Sequence, residues 1–276
     1  VSPGFIDIQS HVRADLLTGD GRLISRVTQG ITTEIMGENE TNAPANAKSR
    51  QMTGDANTFA RFDEWLKAME RHGSSANFGS FAGHSTIRAY GKGMAMGRAT
   101  PEELAEMKRA MREAMEDGAF GLASALIYPP GSYAATDEIV EIAKEIAPFG
   151  GVYITHMRSE GERLLEAVDE TIAIGERAGV PAEIYHLKAV GKENWGKMPA
   201  VIEKINAARA RGLDVQANMY PYAASGTGLT ACLPDWTAAD GKLYENISNP
   251  ETRKKILAEM TTPSDKWESR CLQATP

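Results

Sequence analysis

Long apolar runs are missing from this chain: no stretch approaches the ~20 residues that a bilayer-spanning helix needs. A basic surplus is missing too. Thirty Lys and Arg stand against 37 Asp and Glu, for a net charge of -7. That balance excludes a nucleic-acid backbone or an anionic membrane surface as the main partner. Cysteine is scarce. Cys232 and Cys271 cannot build a disulfide framework, which suits a reducing, cytoplasmic compartment. No Gly-x-Gly-x-x-Gly follows the first expected strand, which argues against a dinucleotide-binding fold. The chain opens Val1-Ser2-Pro3-Gly4, with no initiator Met and no signal peptide, inside what reads as a buried strand. It stops in the polar stretch Trp267–Pro276, with no closing element. The expectation is an internal piece of a longer protein.

What is present is an ordinary globular composition, 42% hydrophobic and 24% charged, which excludes disorder, collagen and coiled coil. Short apolar runs alternate with longer amphipathic segments. Strands are expected at 4–8, 32–36, 77–81, 120–126, 152–155, 182–186 and 214–218. Helices are expected at 23–29, 57–71, 101–116, 136–147, 161–178, 199–210 and 252–260. The strongest helix start is Thr100-Pro101-Glu102-Glu103, which places Thr at the N-cap, Pro in the first turn and Glu three residues on. Alternating strands and helices imply parallel strands with right-handed crossovers. The fold class expected is α/β, a (β/α)8 TIM-barrel type that is incomplete, with about seven of eight strand–helix units. It forms one domain over residues 1–276. The polar stretch Glu38–Asp55 is a long loop after the second strand, where a barrel builds its active-site face.

Of the five histidines, His11, His84, His156 and His186 each follow an expected strand. His72 ends a helix, where a cation complements the helix dipole, and is read as structural. A lone His after a strand is commonly a hydrogen-bonded structural residue. Strand ends in a barrel open on one face, however, so several histidines there converge on one mouth. With Glu38 after the second strand, the set suits a zinc-class ion. Three ligands, Glu38, His156 and His186, leave a coordination position open for chemistry, and His11 is a further candidate metal ligand at the same mouth.

Several motifs carry a family resemblance: Pro3-Gly4-Phe5-Ile6-Asp7, Gln29-Gly30-Ile31-Thr32-Thr33, Gly83-His84-Ser85-Thr86-Ile87-Arg88, Ile127-Tyr128-Pro129-Pro130-Gly131-Ser132-Tyr133, Thr155-His156-Met157-Arg158, His186-Leu187-Lys188 and Tyr220-Pro221-Tyr222. On these the sequence resembles the amidohydrolase superfamily, in its N-acyl-D-amino-acid deacylase (D-aminoacylase) branch, over nearly the whole chain. The resemblance implies that His156 and His186 take a tightly bound zinc. It implies that Tyr128, Lys188 and Tyr222 contact the substrate, with Tyr220 the alternative to Tyr222. It also implies one zinc, or two. Three departures stand out. Gln9-Ser10-His11 replaces the family's His-x-His, and an amide is a poor zinc ligand. The bridging Cys of many relatives is replaced within Gly37-Glu38-Asn39, where Asn39 is the positional match and Glu38 the residue able to bind a cation. The family's catalytic Asp, which follows the last barrel strand, falls beyond the chain end, and the small β-sandwich that flanks the family's barrel at both termini is absent too.

The function expected is metal-dependent hydrolysis of a linear amide, deacylating a small N-acyl-D-amino acid through a metal-bound hydroxide. Three alternatives compete with it. One is an inactive fragment or metal-binding remnant. Another is a cyclic-amide or dipeptide hydrolase of the same fold. The third is a phosphate-binding barrel isomerase using Gly226-Thr227-Gly228. A barrel lacking a strand leaves sheet edges unpaired, which predicts homo-oligomerisation.

Overall fold

Parallel strand pairing runs through the chain in sequence order. Among the described residues, strands form at Phe5–Asp7 (β1), Ile31–Met36 (β2), Asn77–Ser80 (β3), Ala82–Gly83 (β4), Gly121–Ala125 (β5), Val152–His156 (β6), Ala182–Ile184 (β7) and Val215–Ala217 (β8). They make two parallel sheets, β1-β2-β3 and β4-β5-β6-β7-β8. The structure, a computed structural model, describes residues 2–54 and 57–262. Expectations placed on Val1, Asp55, Cys271 and Trp267–Pro276 lie outside those residues.

Phe81 alone separates β3 from β4. Its N–H donates to the Met36 carbonyl at 2.9 Å, and the Phe120 N–H donates to the Ser80 carbonyl at 3.0 Å. Backbone pairing therefore continues around the break. Each sheet is parallel because a helical crossover returns the chain to the same end. The helices are Arg13–Leu17 (α1), Ile24–Val27 (α2), Arg50–Thr53 (α3), Phe62–His72 (α4), His84–Lys92 (α5), Pro101–Glu116 (α6), Thr136–Ala143 (α7), Leu164–Ala178 (α8), Met198–Ala210 (α9), Leu243–Ser248 (α10) and Pro250–Met260 (α11).

Local chemistry explains where the helices begin. The α6 start is the expected capping box: the Glu103 N–H donates to Thr100 Oγ1 at 3.2 Å, and the Thr100 N–H donates to Glu103 Oε2 at 2.8 Å. The helix expected from residue 57 begins only at Phe62. There a local capping bond, Arg61 N–H to Glu64 Oε2 at 3.1 Å, is joined by a tertiary one: Asp117, just past the end of α6, accepts from the Phe62 N–H at 3.1 Å and pairs with the Arg61 guanidinium. No local pattern at 57–61 encodes that partner.

Sheet residues alternate between two covered faces, as parallel strands require. Ala123, Ile154 and Tyr185 pack with Phe81 on one face. Leu122 and Tyr153 pack on the other with Met107 and Met111 of α6 and Ile139 and Ile142 of α7. Phe62 and Trp65 meet edge-on at 5.2 Å in the same core, fully buried. Truncating either to Ala costs about 3–5 kcal/mol.

One charged cluster lies inside this packing. The Arg88 side chain on α5 is 0% exposed and donates from Nε to Glu138 Oε1 of α7 at 2.9 Å. Its Nη atoms donate to the carbonyls of Ala95 (3.2 Å) and Gly97 (2.7 Å). Glu138 Oε2 accepts from the Ala99 N–H at 3.1 Å. The pair thus ties two helices to the loop between α5 and α6. Helix α5 is itself absent from the sequence expectation. It is short, and Ser85, Thr86, Ile87 and Gly91 are weak helix formers, so local propensity does not mark it.

Candidate metal centre

His156 closes β6 two residues after Ile154, so strand alternation turns both onto the same face. His186 follows β7 and adopts a left-handed backbone, φ 38. Such a conformation costs a non-glycine residue about 1–3 kcal/mol and persists only where surroundings impose it. Here the His186 N–H donates to Asn218 Oδ1 at 2.8 Å, and Asn218 Nδ2 donates to Glu183 Oε1 at 3.0 Å. Glu38 lies beyond β2 between two residues of positive φ, Gly37 (110) and Asn39 (63). A Cβ on Gly37 would stand 2.3 Å from the Phe81 carbonyl oxygen, so only glycine fits.

These three segments bring three ligand atoms together. Glu38 Oε1 is 3.1 Å from His156 Nδ1 and 3.7 Å from His186 Nε2, and the two ring nitrogens are 3.1 Å apart. Glu38, His156 and His186 offer ligand atoms all within 4.8 Å of one another. A tetrahedral zinc with bonds of about 2.0–2.1 Å spaces its ligands roughly 3.3 Å apart, inside the range seen here. Two imidazole nitrogens and a carboxylate oxygen crowd one point with too few protons to bridge all three edges. That donor set fits a cation.

Electrostatics favour the ligand forms of Glu38 and His156 and favour charge on His186 and His11. Burial raises the Glu38 carboxyl, but hydrogen bonds from His11, His156 and His186 outweigh it and hold Glu38 well below the usual carboxylate range. Burial pushes His156 down, against Glu160 and Glu38, which keeps its ring neutral. Burial also opposes charge on His186, yet hydrogen bonds with Glu160 and Glu38 turn its shift upward. His11 is raised, chiefly by its hydrogen bond to Glu38.

The other expected site residues fall in different places. His11 Nε2 is 3.4 Å from Glu38 Oε2, on the outer side of the carboxylate, with a side chain 70% exposed. Gln9 Nε2 donates to that same Oε2 at 2.7 Å. Asn39 does not face the cluster; its side chain accepts from Ser85 Oγ at 2.5 Å. His84 does not join the converging histidines. It opens α5, fully buried, with neither ring nitrogen hydrogen-bonded among the described residues. Its position after a strand is also the first turn of a helix, which carries the ring into packing instead of the mouth.

Tyr128 packs its ring edge-on to His156 at 5.8 Å, and its hydroxyl pairs with Thr227. Tyr220 stands 6.2 Å from the His186 ring and lines the same cleft, of about 1010 Å³, as Glu38, Tyr128 and the two histidines. Tyr222, the expected substrate contact, is 74% exposed and does not line it. After β8 the chain runs outward past Pro221, so Tyr220 takes the inner position. Lys188 turns its ammonium to the rear of His186. Nζ is 2.9 Å from His186 Nδ1, donates to Glu160 Oε1 at 2.6 Å, and lies 5.3 Å above the Tyr220 ring. Glu160 is the residue that sequence reasoning missed. Its signal was available: an acid in the loop after a ligand histidine, where metal-site histidines find their supporting carboxylates.

No protein-family model matches the chain. It is 36% identical over 237 residues to a D-aminoacylase of Alcaligenes xylosoxydans xylosoxydans, covering 83% of this chain and 48% of that protein. It is 32% identical over 266 residues to an N-acyl-D-glutamate deacylase of the same organism, covering 94% and 54% respectively. Among solved structures it superposes on N-acyl-D-glutamate deacylase from Bordetella bronchiseptica, complexed with zinc and a phosphonate mimic of the tetrahedral intermediate. That match has a TM-score of 0.74 and 29% identity, over 80% of this chain and 48% of the other. The chain spans about half the length of the curated relatives it matches. In sequence and in fold, over about half their length, the chain is similar to the D-aminoacylases and N-acyl-D-amino-acid deacylases, a subset of the amidohydrolases.

Proposed function

We propose that Glu38, His156 and His186 hold a zinc ion, and that the protein built on this fold hydrolyses the amide of an N-acyl-D-amino acid. The observation that carries this reading is the meeting of Glu38 Oε1, His156 Nδ1 and His186 Nε2, at 3.1–3.7 Å, in the cleft. Relatives that deacylate such substrates, one of them solved with zinc, support it. The parallel strands are read as part of a (β/α) barrel, as one domain with its site at the strand ends.

A bound zinc supplies a Lewis acid for the scissile carbonyl and an activated water near neutral pH. The chain's own residues do the rest. Glu38 reduces the net charge of the ion and orients the ligand set. Tyr128, above His156, and Tyr220, beside His186, wall the cleft and present phenol groups to a polar substrate. Proton transfer to the leaving amine is the role that the family resemblance gives to an aspartate following the last barrel strand. We read one ion instead of two, because the Gln9 amide spends its N–H on Glu38 Oε2, where a second ion would bind.

Zinc titration by calorimetry tests the first part, with one equivalent expected for the chain and at least a 100-fold loss of affinity in His156→Ala and His186→Ala. Deacetylation of N-acetyl-D-amino acids by the full-length protein tests the second. Equal zinc affinity in the histidine variants removes the site, and absence of turnover on any acylated D-amino acid removes the substrate class.

A further inference from the structure

Glu160 belongs to no motif that points to zinc, yet it occupies the most constrained position behind the cluster. Its side chain is 6% exposed. A single oxygen, Oε1, stands 3.0 Å from His186 Nδ1, 3.8 Å from His156 Nε2 and 2.6 Å from Lys188 Nζ. The two ring nitrogens it faces are the ones turned away from Glu38, and His156 Nε2 has no hydrogen-bond partner among the described residues.

The protons decide what this arrangement does. An imidazole coordinates a metal through a nitrogen lone pair, and in the neutral ring its other nitrogen carries the hydrogen. His186 Nδ1 sits between two neighbours of opposite kind. Lys188 can only donate to it, and ionised Glu160 can only accept from it. If Lys188 held that nitrogen, the ring proton would move to Nε2 and block the cluster. Lys188 has three N–H donors and also reaches Glu160 Oε1 at 2.6 Å and the His186 carbonyl at 2.9 Å. Glu160, at 3.0 Å, therefore competes with Lys188, at 2.9 Å, for Nδ1, and its negative charge draws the ring proton to that side.

We propose that Glu160 is a positioning residue that fixes the tautomer of His186. It holds the proton on His186 Nδ1 and leaves the lone pair of His186 Nε2 aimed at the ion. Lys188 anchors that carboxylate. The inference rests on the metal-site reading above and deepens it.

Nitrogen-15 and carbon-13 NMR of histidine in the metal-free chain is the test, with zinc titration beside it. In the wild-type chain His186 is expected as the Nδ1–H tautomer. In Glu160→Leu the lysine becomes the nearest neighbour of Nδ1, so the Nε2–H tautomer takes over and zinc affinity falls about 10–100-fold. Glu160→Gln keeps an acceptor and retains affinity within about threefold of wild type on the same scale. Glu160→Leu combined with Lys188→Met removes the misdirecting donor and recovers part of the loss. A wild-type His186 found as Nε2–H overturns the proposal without need of any variant, and so does a Glu160→Leu chain that folds and binds zinc as wild type does. If wild type binds no zinc, the metal reading fails alone, since the tautomer is read without metal.

Discussion

Replacing Glu138 by Gln is the sharpest probe of the interior, because it removes one charge and almost no volume. Arg88 is 0% exposed and Glu138 6% exposed, so neither water nor salt can take over the lost carboxylate. Two consequences add. The guanidinium is left without a counter-charge, a change that costs about 3–5 kcal/mol in buried pairs. The new amide also meets donors on both sides, Arg88 Nε–H at 2.9 Å and the Ala99 N–H at 3.1 Å. Whichever way it flips, its NH2 opposes one of them. At roughly 2–4 °C per kcal/mol for a chain of this size, the melting temperature falls on the order of 10 °C. Urea unfolding followed by circular dichroism measures the loss. The double variant Arg88→Met with Glu138→Leu removes both charges and lands within about 2 kcal/mol of wild type, far above the sum of the single losses. A Glu138→Gln chain within 1 kcal/mol of wild type would show that water reaches the guanidinium and would refute the argument.

Three further outcomes follow from the geometry. Burial, with Arg88 and Arg158 nearby, lowers His84 to about 3. The unfolded chain therefore takes up the proton first, and stability drops as pH falls below about 6.5, by about 1.4 kcal/mol per unit until His84 itself titrates. Relative to His84→Asn, wild type loses about 2 kcal/mol between pH 7.5 and 5, read from urea midpoints, and parallel curves would contradict this. Gly37→Ala drives a methyl to 2.3 Å from the Phe81 carbonyl at φ 110. It costs about 1–3 kcal/mol in thermal unfolding and weakens zinc binding by displacing Glu38. Asn218→Ala removes the acceptor of the His186 N–H. It costs about 1–3 kcal/mol in urea unfolding and weakens zinc binding in a calorimetric titration, with the histidine ligands themselves untouched.

How much was legible follows from where each signal resides. Thr32 to Met36 reads as a strand because β-branched and apolar residues fill a covered position, and β2 forms there. The Thr100 cap reads locally and is found locally. Glu38, His156 and His186 were legible as chemistry because imidazole and carboxylate types are few and follow strands. The rest depends on partners distant in sequence. Nothing near Phe62 announces that Asp117 caps it. His84 occupies the same kind of place as His156 but begins a helix buried on all sides. Tyr220 and Tyr222 are equivalent on paper, and only the path of the chain after β8 separates them. Glu160 is one acid among 37 acidic residues until the fold carries it behind two rings.

Glu38 and His156 stand 118 residues apart along the chain, and His156 and His186 another 30. An ion gripped by all three acts as a removable crosslink over a long loop, whose closure entropy the surrounding fold has already met. Occupancy and cooperative unfolding then become two readings of one equilibrium: chelator lowers the melting point, and added metal raises it with the logarithm of its concentration.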